Sequence, residues 1–334
     1  MSAQTRPPDS LLANLPIPMN DDDSNDAPIV AYLTPLSDDD VSHLLPALIP
    51  LLSNWRRDAL HSHLLRRLAH ASPTSALTTA LATILSAPDA PNASSTNPRT
   101  HAIALNHLVQ SLPLRALPPY IPALTHLSNP PPSSTSDDDD AARIAAAWTA
   151  STATAVLRLA AGDVWTPENK FDHLAIRSLH AGARSPALMA PFVPDLLRWL
   201  QDYHWPVYAA CAAQLARFPE VAAEGVRHVL RVQANGDDEW RRNVVNFVAE
   251  DLPGEVREGC RGAVVEVLEE VEGRVREMGE GEEAEEADEF ELREACRECL
   301  EVMDWWMGRE RVLGRVGWWL PKEELVDEDE DELW

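Results

Sequence analysis

Apolar residues recur along the chain every three to four positions, the spacing that places them on one face of an α-helix. Two such sets follow one another near the start of the sequence, and together they predict a helical hairpin. They are Val41, Leu44, Leu45, Leu48, Ile49 and Leu52, then Leu60, Leu64, Leu65 and Leu68. Ser37 precedes the first set and is predicted to cap that helix. The three aspartates directly after Ser37 then lie in the first turn, where the helix dipole favours negative charge.

The same periodicity continues through the rest of the chain, with short polar breaks between helices. Further helices are predicted over 73–87, 99–112, 117–128, 141–159, 167–181, 187–201, 206–217, 219–234, 237–251, 254–278 and 288–307. Prolines fall in five predicted first turns, where a missing N–H costs no intrahelical bond; they are Pro167, Pro186, Pro206, Pro219 and Pro253. No segment alternates with the period of a strand over more than a few residues. We therefore expect an all-α fold of stacked antiparallel helical hairpins, a HEAT/armadillo-like α-solenoid or α-α superhelix.

A weak internal repeat supports this expectation. The stretch 48–55 aligns with 120–127 and with 192–199. The offset is 72 residues in both cases (120 − 48 and 192 − 120), and all three copies share one proline. Two helical hairpins of about 36 residues each would give that period, which is close to the length of helical-repeat units. Coincidence in a chain rich in leucine and proline is the alternative.

Composition suggests how the chain is divided. We expect a disordered arm at 1–36, helical hairpins at 37–128, a flexible linker at 129–140, a C-terminal helical domain at 141–307, and a Trp-rich, acidic tail at 308–334. The linker contains no side chain that could join a core. Glutamate is absent before Glu168, so composition also changes sharply near residue 160.

Charge constrains the kind of partner. The formal net charge is −26, and only two lysines occur, so nucleic acid is not an expected partner. The acids concentrate in the second half of the chain, where 161–334 carries 40 of them and 1–160 carries 14. A protein with a basic surface is the expected partner.

The chain is expected to be soluble and intracellular, in the cytoplasm or the nucleus. The segment 1–20 lacks the pattern of a signal peptide, and no stretch reaches the uninterrupted apolar length of a membrane span. Four cysteines in 334 residues do not form a disulfide framework and are interpreted as buried or idle thiols. The spacing Cys296-x-x-Cys299 supplies half of a zinc site without the other half, so no metal or cofactor is expected. His61-x-His63 is interpreted as surface decoration.

The stretch from Trp165 to about Trp305 resembles a known family. The motifs that carry the resemblance are 167–172, 196–202, the Trp205-Pro206 pair, 238–241 and the Leu252-Pro253 turn. They are similar to the domain of unknown function 5071. The resemblance implies a small all-helical domain, and because the family has no established activity it implies no catalytic residue.

The residues of these motifs suggest a binding site. Tryptophans beside charged neighbours could line a groove that recognises a peptide, since an indole combines a large apolar area with one N–H donor. The candidates are Trp199, Trp205, Trp240, Asp238 and Lys170. The alternative is that these tryptophans fill the cores of helical hairpins.

Catalysis is the second hypothesis. Acid–base chemistry would use Asp172, His173, Asp202 and His204, because a carboxylate can orient a neighbouring imidazole. No hydrolase elbow, phosphate loop or dinucleotide fingerprint occurs in the sequence. A non-catalytic protein–protein interaction scaffold is therefore the leading hypothesis, and an enzyme, possibly a hydrolase, is the alternative.

The C-terminal end is unusual, since Trp305, Trp306, Trp318, Trp319 and Trp334 lie close together in the sequence. This segment is interpreted either as a docking segment for a partner or a membrane interface, or as a cap over the last hairpin.

Overall fold

The computed structural model describes residues 8–16, 26–54, 57–86, 98–129, 140–234, 236–278 and 291–316. Among these residues every regular element is a helix and no strand occurs, which confirms the all-α prediction. The described chain divides into two compact units, one up to Ala161 and the other from Gly162 onward.

The first unit contains α1 to α8. Their bounds are Pro8–Ala13, Ala27–Leu33, Asp38–Leu48, Asp58–His70, Ala76–Ser86, Pro98–His107, Ile121–Ser128 and Asp140–Ala161. Short 3₁₀ turns link them at Ile49–Ser53, Val109–Ser111, Leu114–Ala116 and Pro118–Tyr120. Ser37 caps α3 as predicted: its Oγ accepts from the Asp40 amide at 3.1 Å, and Asp40 accepts in return from the Ser37 amide.

The second unit contains α9 to α17. Their bounds are His173–Gly182, Pro186–Met189, Val193–Arg198, Tyr208–Ala216, Pro219–His228, Asp238–Asp251, Gly254–Glu258, Arg261–Met278 and Leu292–Val316. A 3₁₀ turn at Ala190–Phe192 and a π turn at Val229–Gln233 interrupt the expected longer helices. Pro186 and Pro219 open helices as predicted. Pro167 lies in the loop before α9, because Asp172 caps that helix and its first residue is His173.

The core of the second unit is a continuous cluster of buried apolar side chains from most of its helices. α11 and α13 approach closely at Gly225, where a Cβ would lie 2.6 Å from Leu197 Cδ1 and 2.7 Å from Val193 Cγ1. A larger residue at position 225 would therefore force the ends of these two side chains to shift, which glycine avoids.

The prediction of a disordered arm at 1–36 is wrong for the part of that segment that the structure describes. α1 packs against α3 and α2 packs against α4, with Leu11, Ile29 and Leu33 fully buried. These helices have only six and seven residues, so they carry too few apolar positions for a periodicity argument. Their stability comes from tertiary packing, which a local pattern does not reveal.

A buried ion pair joins α2 to α4. Arg57 Nη1 donates to Asp26 Oδ1 at 3.0 Å, and both side chains are less than 5% exposed. Asp26 Oδ2 also accepts from the Leu60 amide at 3.2 Å, so it satisfies one N–H in the first turn of α4.

A second contact in the first unit corrects the interpretation of His61 as surface decoration. His61 is half-buried, and its Nε2 donates to the backbone carbonyl of His107 at the end of α6. The two imidazole rings lie 6.1 Å apart, edge to face. Burial, followed by the charge of His61, lowers the pKa of His107. Burial, followed by Arg67 and Arg66, lowers the pKa of His63.

The division between the units differs from the expected linker at 129–140, and residues 130–139 lie outside the described residues. α8 packs against α6 and α7, so it closes the first unit instead of opening the C-terminal domain. Gly162 ends it with a φ of +83°, a conformation that strains L-residues. The boundary between the two units, after Ala161, agrees with the change of composition near residue 160.

α8 also bears on the prediction that no segment spans a membrane. Residues Arg143–Ala161 are long and apolar enough to cross a bilayer by length and composition alone, and they are the single helix of that kind among the described residues. A single helix of this kind is weak evidence for a membrane span. The structure therefore shows no clear membrane span.

Two of the three copies of the sequence repeat share the same local backbone structure. In both, a 3₁₀ turn ends at an aromatic residue and a helix begins at the next position, at Tyr120-Ile121 and at Phe192-Val193. The backbone angles are (−94°, −13°) at Tyr120 and (−94°, −15°) at Phe192. The first copy differs because α3 passes into a 3₁₀ turn at Ile49.

Removing one partner of the buried ion pair is expected to destabilise the first unit strongly. Asp26→Ala leaves the Arg57 charge buried without its partner and removes a cap of α4, so it should cost about 3–5 kcal/mol. Urea unfolding followed by circular dichroism, with hydrogen exchange of α2 and α4, measures this. Asp58→Ala is the matched control, since this aspartate is exposed in the same first turn and should cost less than about 1 kcal/mol. Equal effects of the two variants would contradict the structural role of the pair.

Acid is expected to weaken the first unit through His63 and His107. Both folded pKa values lie below the ordinary 6.5, so the unfolded state binds more protons. The contribution of these two histidines to the free energy of unfolding is therefore fully present above about pH 6.5 and is lost as the pH falls below that value. The unfolding midpoint measured from pH 7.5 to 5 should depend less on pH in His63→Gln/His107→Gln. His43→Gln, at an exposed position in α3, should retain the wild-type profile. An unchanged profile in the double variant would contradict this account.

Candidate functional site

The predicted site residues lie on two loops and at two helix starts in the second unit. The first loop, 163–172, precedes α9 and carries Lys170 and Asp172. The second, 199–207, joins α11 to α12 and carries Trp199, Asp202, His204 and Trp205. We call these two loops the loop surface. Asp238 and Trp240 open α14, and His173 opens α9.

Asp172 organises the first loop. Its Oδ1 accepts from the Ala175 amide at 3.1 Å and thereby caps α9. Its Oδ2 accepts from Trp165 Nε1 at 3.1 Å and from the Glu168 amide at 3.3 Å. Both carboxylate oxygens are therefore engaged within the loop, and the hydrogen bonds described for Asp172 do not include the exposed His173 imidazole.

Trp199 ties the second loop to the first. Its Nε1 donates to the Pro167 carbonyl at 3.1 Å, and its ring packs edge to face on Trp205 at 5.3 Å between centroids. Nearby, Thr166 Oγ1 donates to Asp195 Oδ2 at 3.3 Å. The structure thus brings Trp199 and Trp205 together, as the binding hypothesis required, but it uses the Trp199 N–H to fix the loops.

Trp240 is a core residue, which corrects its expected place in an open groove. Its side chain is almost fully buried, and Nε1 donates to the Leu197 carbonyl at 2.9 Å, at the end of α11. One turn further along α14, Asn243 Nδ2 donates to the Gln201 carbonyl at 2.9 Å. α14 therefore supports the second loop from below, and its tryptophan is held in the interior.

Asp238 also has a structural environment. Its carboxylate forms an ion pair with Arg274 of α16 and lies 3.8 Å from Arg241 Nη1. Arg241 is buried and donates to Glu270 of α16 at 2.8 Å. The sequence did not show the ion pairs of Arg274 with Asp238 and of Arg241 with Glu270, because these partners lie 36 and 29 residues apart. Helical spacing shows only the pairing of Asp238 with Arg241.

The carboxylate–histidine pair that the structure does form is Asp202 with His204. Asp202 Oδ1 accepts from the His204 amide at 2.8 Å and lies 3.2 Å from His204 Nδ1. The imidazole is 70% exposed and stacks on Tyr203 at 3.8 Å between ring centroids. The Arg242 guanidinium lies 5.8 Å from the Tyr203 ring.

Two aromatic side chains on the loop surface were not predicted as site residues. Phe171 is 55% exposed and Tyr203 is 51% exposed. Lys170 Nζ lies 5.5 Å from the Phe171 ring, so the lysine chosen from the sequence contacts an aromatic residue. Phe171 lies within the motif 167–172 and Tyr203 directly follows the motif 196–202, and these positions are the signal that could have identified them.

These loops and helices lie within a segment that matches a known family. Residues 165–299 match the model of DUF5071, a domain of unknown function. The match confirms the resemblance and covers a segment of the 334-residue chain, from Trp165 in the first loop to Cys299 in α17. Comparisons with curated proteins and with solved structures give no match.

The cysteines of the DUF5071 segment lie in its core. Cys211, Cys260, Cys296 and Cys299 are all fully buried, and none of them forms a disulfide. Burial raises the pKa of Cys211 and of Cys299 to about 12 and also raises the pKa of Cys260. A thiol at such a pKa is a poor nucleophile at neutral pH. No group of three or more potential metal ligands occurs within the described residues.

Replacing Asp172 tests whether this carboxylate organises the loop of the DUF5071 segment. Asp172→Ala removes the cap of α9 and leaves the Trp165 indole N–H without its acceptor, so it should destabilise the unit by about 2 kcal/mol. Chemical unfolding followed by tryptophan fluorescence measures the loss. His173→Ala, which changes the exposed neighbour, should stay within about 0.5 kcal/mol of wild type. A neutral Asp172→Ala variant would contradict the structural assignment.

Proposed function

We propose that this chain is a non-catalytic protein–protein interaction scaffold of helical-repeat type, with its helices stacked as antiparallel hairpins. The loop surface is its proposed binding face, and a protein with a basic surface is its proposed partner. The observation that carries the proposal is the pair of exposed aromatic residues, Phe171 and Tyr203, on loops that partly buried hydrogen bonds hold in place.

Pre-organisation favours binding at this surface. Three hydrogen bonds fix the loops: Trp165 to Asp172, Trp199 to Pro167 and Asn243 to Gln201. Loops already held in one conformation lose less entropy when a partner binds. Exposed aromatic rings then supply the large, rigid contact area that interfaces use as anchors.

Charge supports the choice of partner. A net charge of −26 attracts basic proteins over long range and accelerates their encounter with the chain. The acids on α16 that face arginines, Glu266, Glu270 and Glu272, are paired within the chain. Glu294, Glu298 and Glu301 are exposed along one stripe of α17 and add negative charge to the surface.

The local match at Tyr120-Ile121 and Phe192-Val193 supports the repeat architecture. The same 3₁₀-to-helix junction recurs in each unit at the offset that the sequence alignment predicts. Solenoids built from helical hairpins bind proteins on their extended surfaces. Buried thiols agree with a reducing compartment, so a cytoplasmic or nuclear location is part of the proposal.

The enzyme hypothesis retains one specific observation, the contact between Asp202 and His204. A carboxylate that accepts from Nδ1 can orient an imidazole for acid–base work, as a hydrolase requires. However, the His204 imidazole is 70% exposed, and Asp172 is engaged in capping. Binding therefore accounts for more of the geometry than catalysis does.

Affinity capture with the full chain tests the binding proposal. The wild-type chain should retain a protein at low salt and release it at high salt, because screening weakens attraction between opposite charges. Phe171→Ala/Tyr203→Ala should reduce retention at least about tenfold through the lost anchors. Leu188→Ala is the matched control, since Leu188 is 56% exposed in the same unit but lies outside the loop surface.

Two results would overturn the proposal. One is that no protein is retained at either salt concentration. The other is that the double variant retains the same protein as well as wild type does. Hydrolysis of an ester probe that is lost in His204→Ala would instead favour the enzyme hypothesis.

A further inference from the structure

One face of α8 is left uncovered by the part of the chain that the structure describes. Thr149, Ala153, Val156 and Leu159 form the stripe that is buried in the first unit. The opposite stripe carries Ile144, Ala147, Trp148 and Ser151, which are all exposed. Ile144 is 57% exposed and Trp148 is 60% exposed.

Residues 143–148 of α8 are largely exposed, with only Ala145 partly buried. No residue from 143 to 148 is buried, although five of these six residues are alanine, isoleucine or tryptophan. Only 22% of the apolar stretch Arg143–Ala161 is buried. A helix that is apolar all round is normally covered, so an exposed one marks an interaction site.

Two connections of the first unit lack the large apolar side chains that a cover for this face needs. The segments 87–97 and 130–139 contain no aromatic or large aliphatic residue. An apolar cover needs such side chains, because small and polar ones bury too little apolar area.

Charge then indicates the occupant. Residues 144–157 contain no charged side chain, in a protein whose net charge is −26. Two copies of so acidic a chain repel one another elsewhere, and an uncharged face is where they can approach. The stripe is also self-complementary, because Trp148 is followed by the small residues Ser151 and Ala155 on the same side of the helix.

We propose that α8 is the interface of a homodimer, in which two copies of the helix pack antiparallel about a two-fold axis near Ser151. Trp148 of each copy then lies against Thr154 and Ala155 of the other. The small residues permit close approach of the two helices, and the antiparallel arrangement pairs opposite ends of their dipoles. This interface is separate from the loop surface, so it stands whether or not the proposed function does.

The association should be reversible and should strengthen with salt. Added salt screens the repulsion between two acidic chains, whereas it weakens binding to a basic partner. Analytical ultracentrifugation of the full chain over a hundredfold range of concentration should show a monomer–dimer equilibrium that shifts toward dimer at high salt.

Substitution of the anchor residue tests the location. Trp148→Glu should weaken dimerisation at least about 30-fold, because it places two carboxylates in the interface. Trp305→Glu is the matched control, since Trp305 is 62% exposed on α17 and should leave the equilibrium unchanged. Circular dichroism should show the same helix content in both variants, since both residues are exposed.

Cross-linking tests the orientation independently of any loss of folding. All four native cysteines are fully buried, so a cysteine introduced on the surface is the reactive thiol. Ser151→Cys, at the axis, should form covalent dimers under mild oxidation. Ala146→Cys, which is exposed on another side of α8, should form far fewer.

Several outcomes would overturn the homodimer. A monomer at every concentration would do so, as would a dimer that Trp148→Glu leaves intact. Equal cross-linking at positions 146 and 151 would refute the arrangement about Ser151. If a monomeric chain instead binds phosphatidylcholine vesicles and Trp148→Glu abolishes this binding, the face takes lipid and the proposal is wrong.

Discussion

Short helices leave many backbone groups without an intrahelical partner, and the fold depends on satisfying those groups from elsewhere in the chain. Side chains from other elements do this repeatedly. Asp26 accepts from the start of α4, and Arg67 donates to the carbonyls of Leu33 and Leu36 after α2. In the second unit, Arg257 donates to the Val248 and Leu252 carbonyls at the end of α14. Each helix end thus becomes a point where two elements are held in register.

The same constraint shapes the candidate site. The indole of Trp240 reaches the last turn of α11, and that of Trp199 reaches the Pro167 carbonyl in the first loop. An indole has one N–H, so a tryptophan that donates it to a backbone carbonyl has no donor left for a ligand. The exposed aromatic area on the loop surface belongs to Phe171 and Tyr203, next to the exposed polar side chains of Lys170 and His204. The proposed recognition would therefore use the aromatic faces and not the tryptophan N–H groups.

The sequence allowed the helical class, the Ser37 cap and the family segment to be predicted, because each depends on a local pattern. It could not show the acceptors of the tryptophans, which lie 32 and 43 residues away for Trp199 and Trp240. The catalytic hypothesis failed to anticipate the role of Asp172 for a related reason. From the sequence alone, an aspartate before a helix can be a helix cap or a catalytic base. The donors from which its carboxylate accepts hydrogen bonds decide between the two. α1 and α2 escaped prediction because six or seven residues hold too little periodicity.

The uneven distribution of charge gives the two proposed surfaces opposite physical characters. Carboxylates concentrate beyond residue 160, so the field around the DUF5071 segment favours basic proteins and opposes contact between like chains. α8 ends at Ala161, before that acidic region begins, and the helix is uncharged from 144 to 157. Screening by salt therefore acts in opposite directions on the two associations. The proposed self-association and the proposed partner binding therefore use different surfaces and respond to salt in opposite ways.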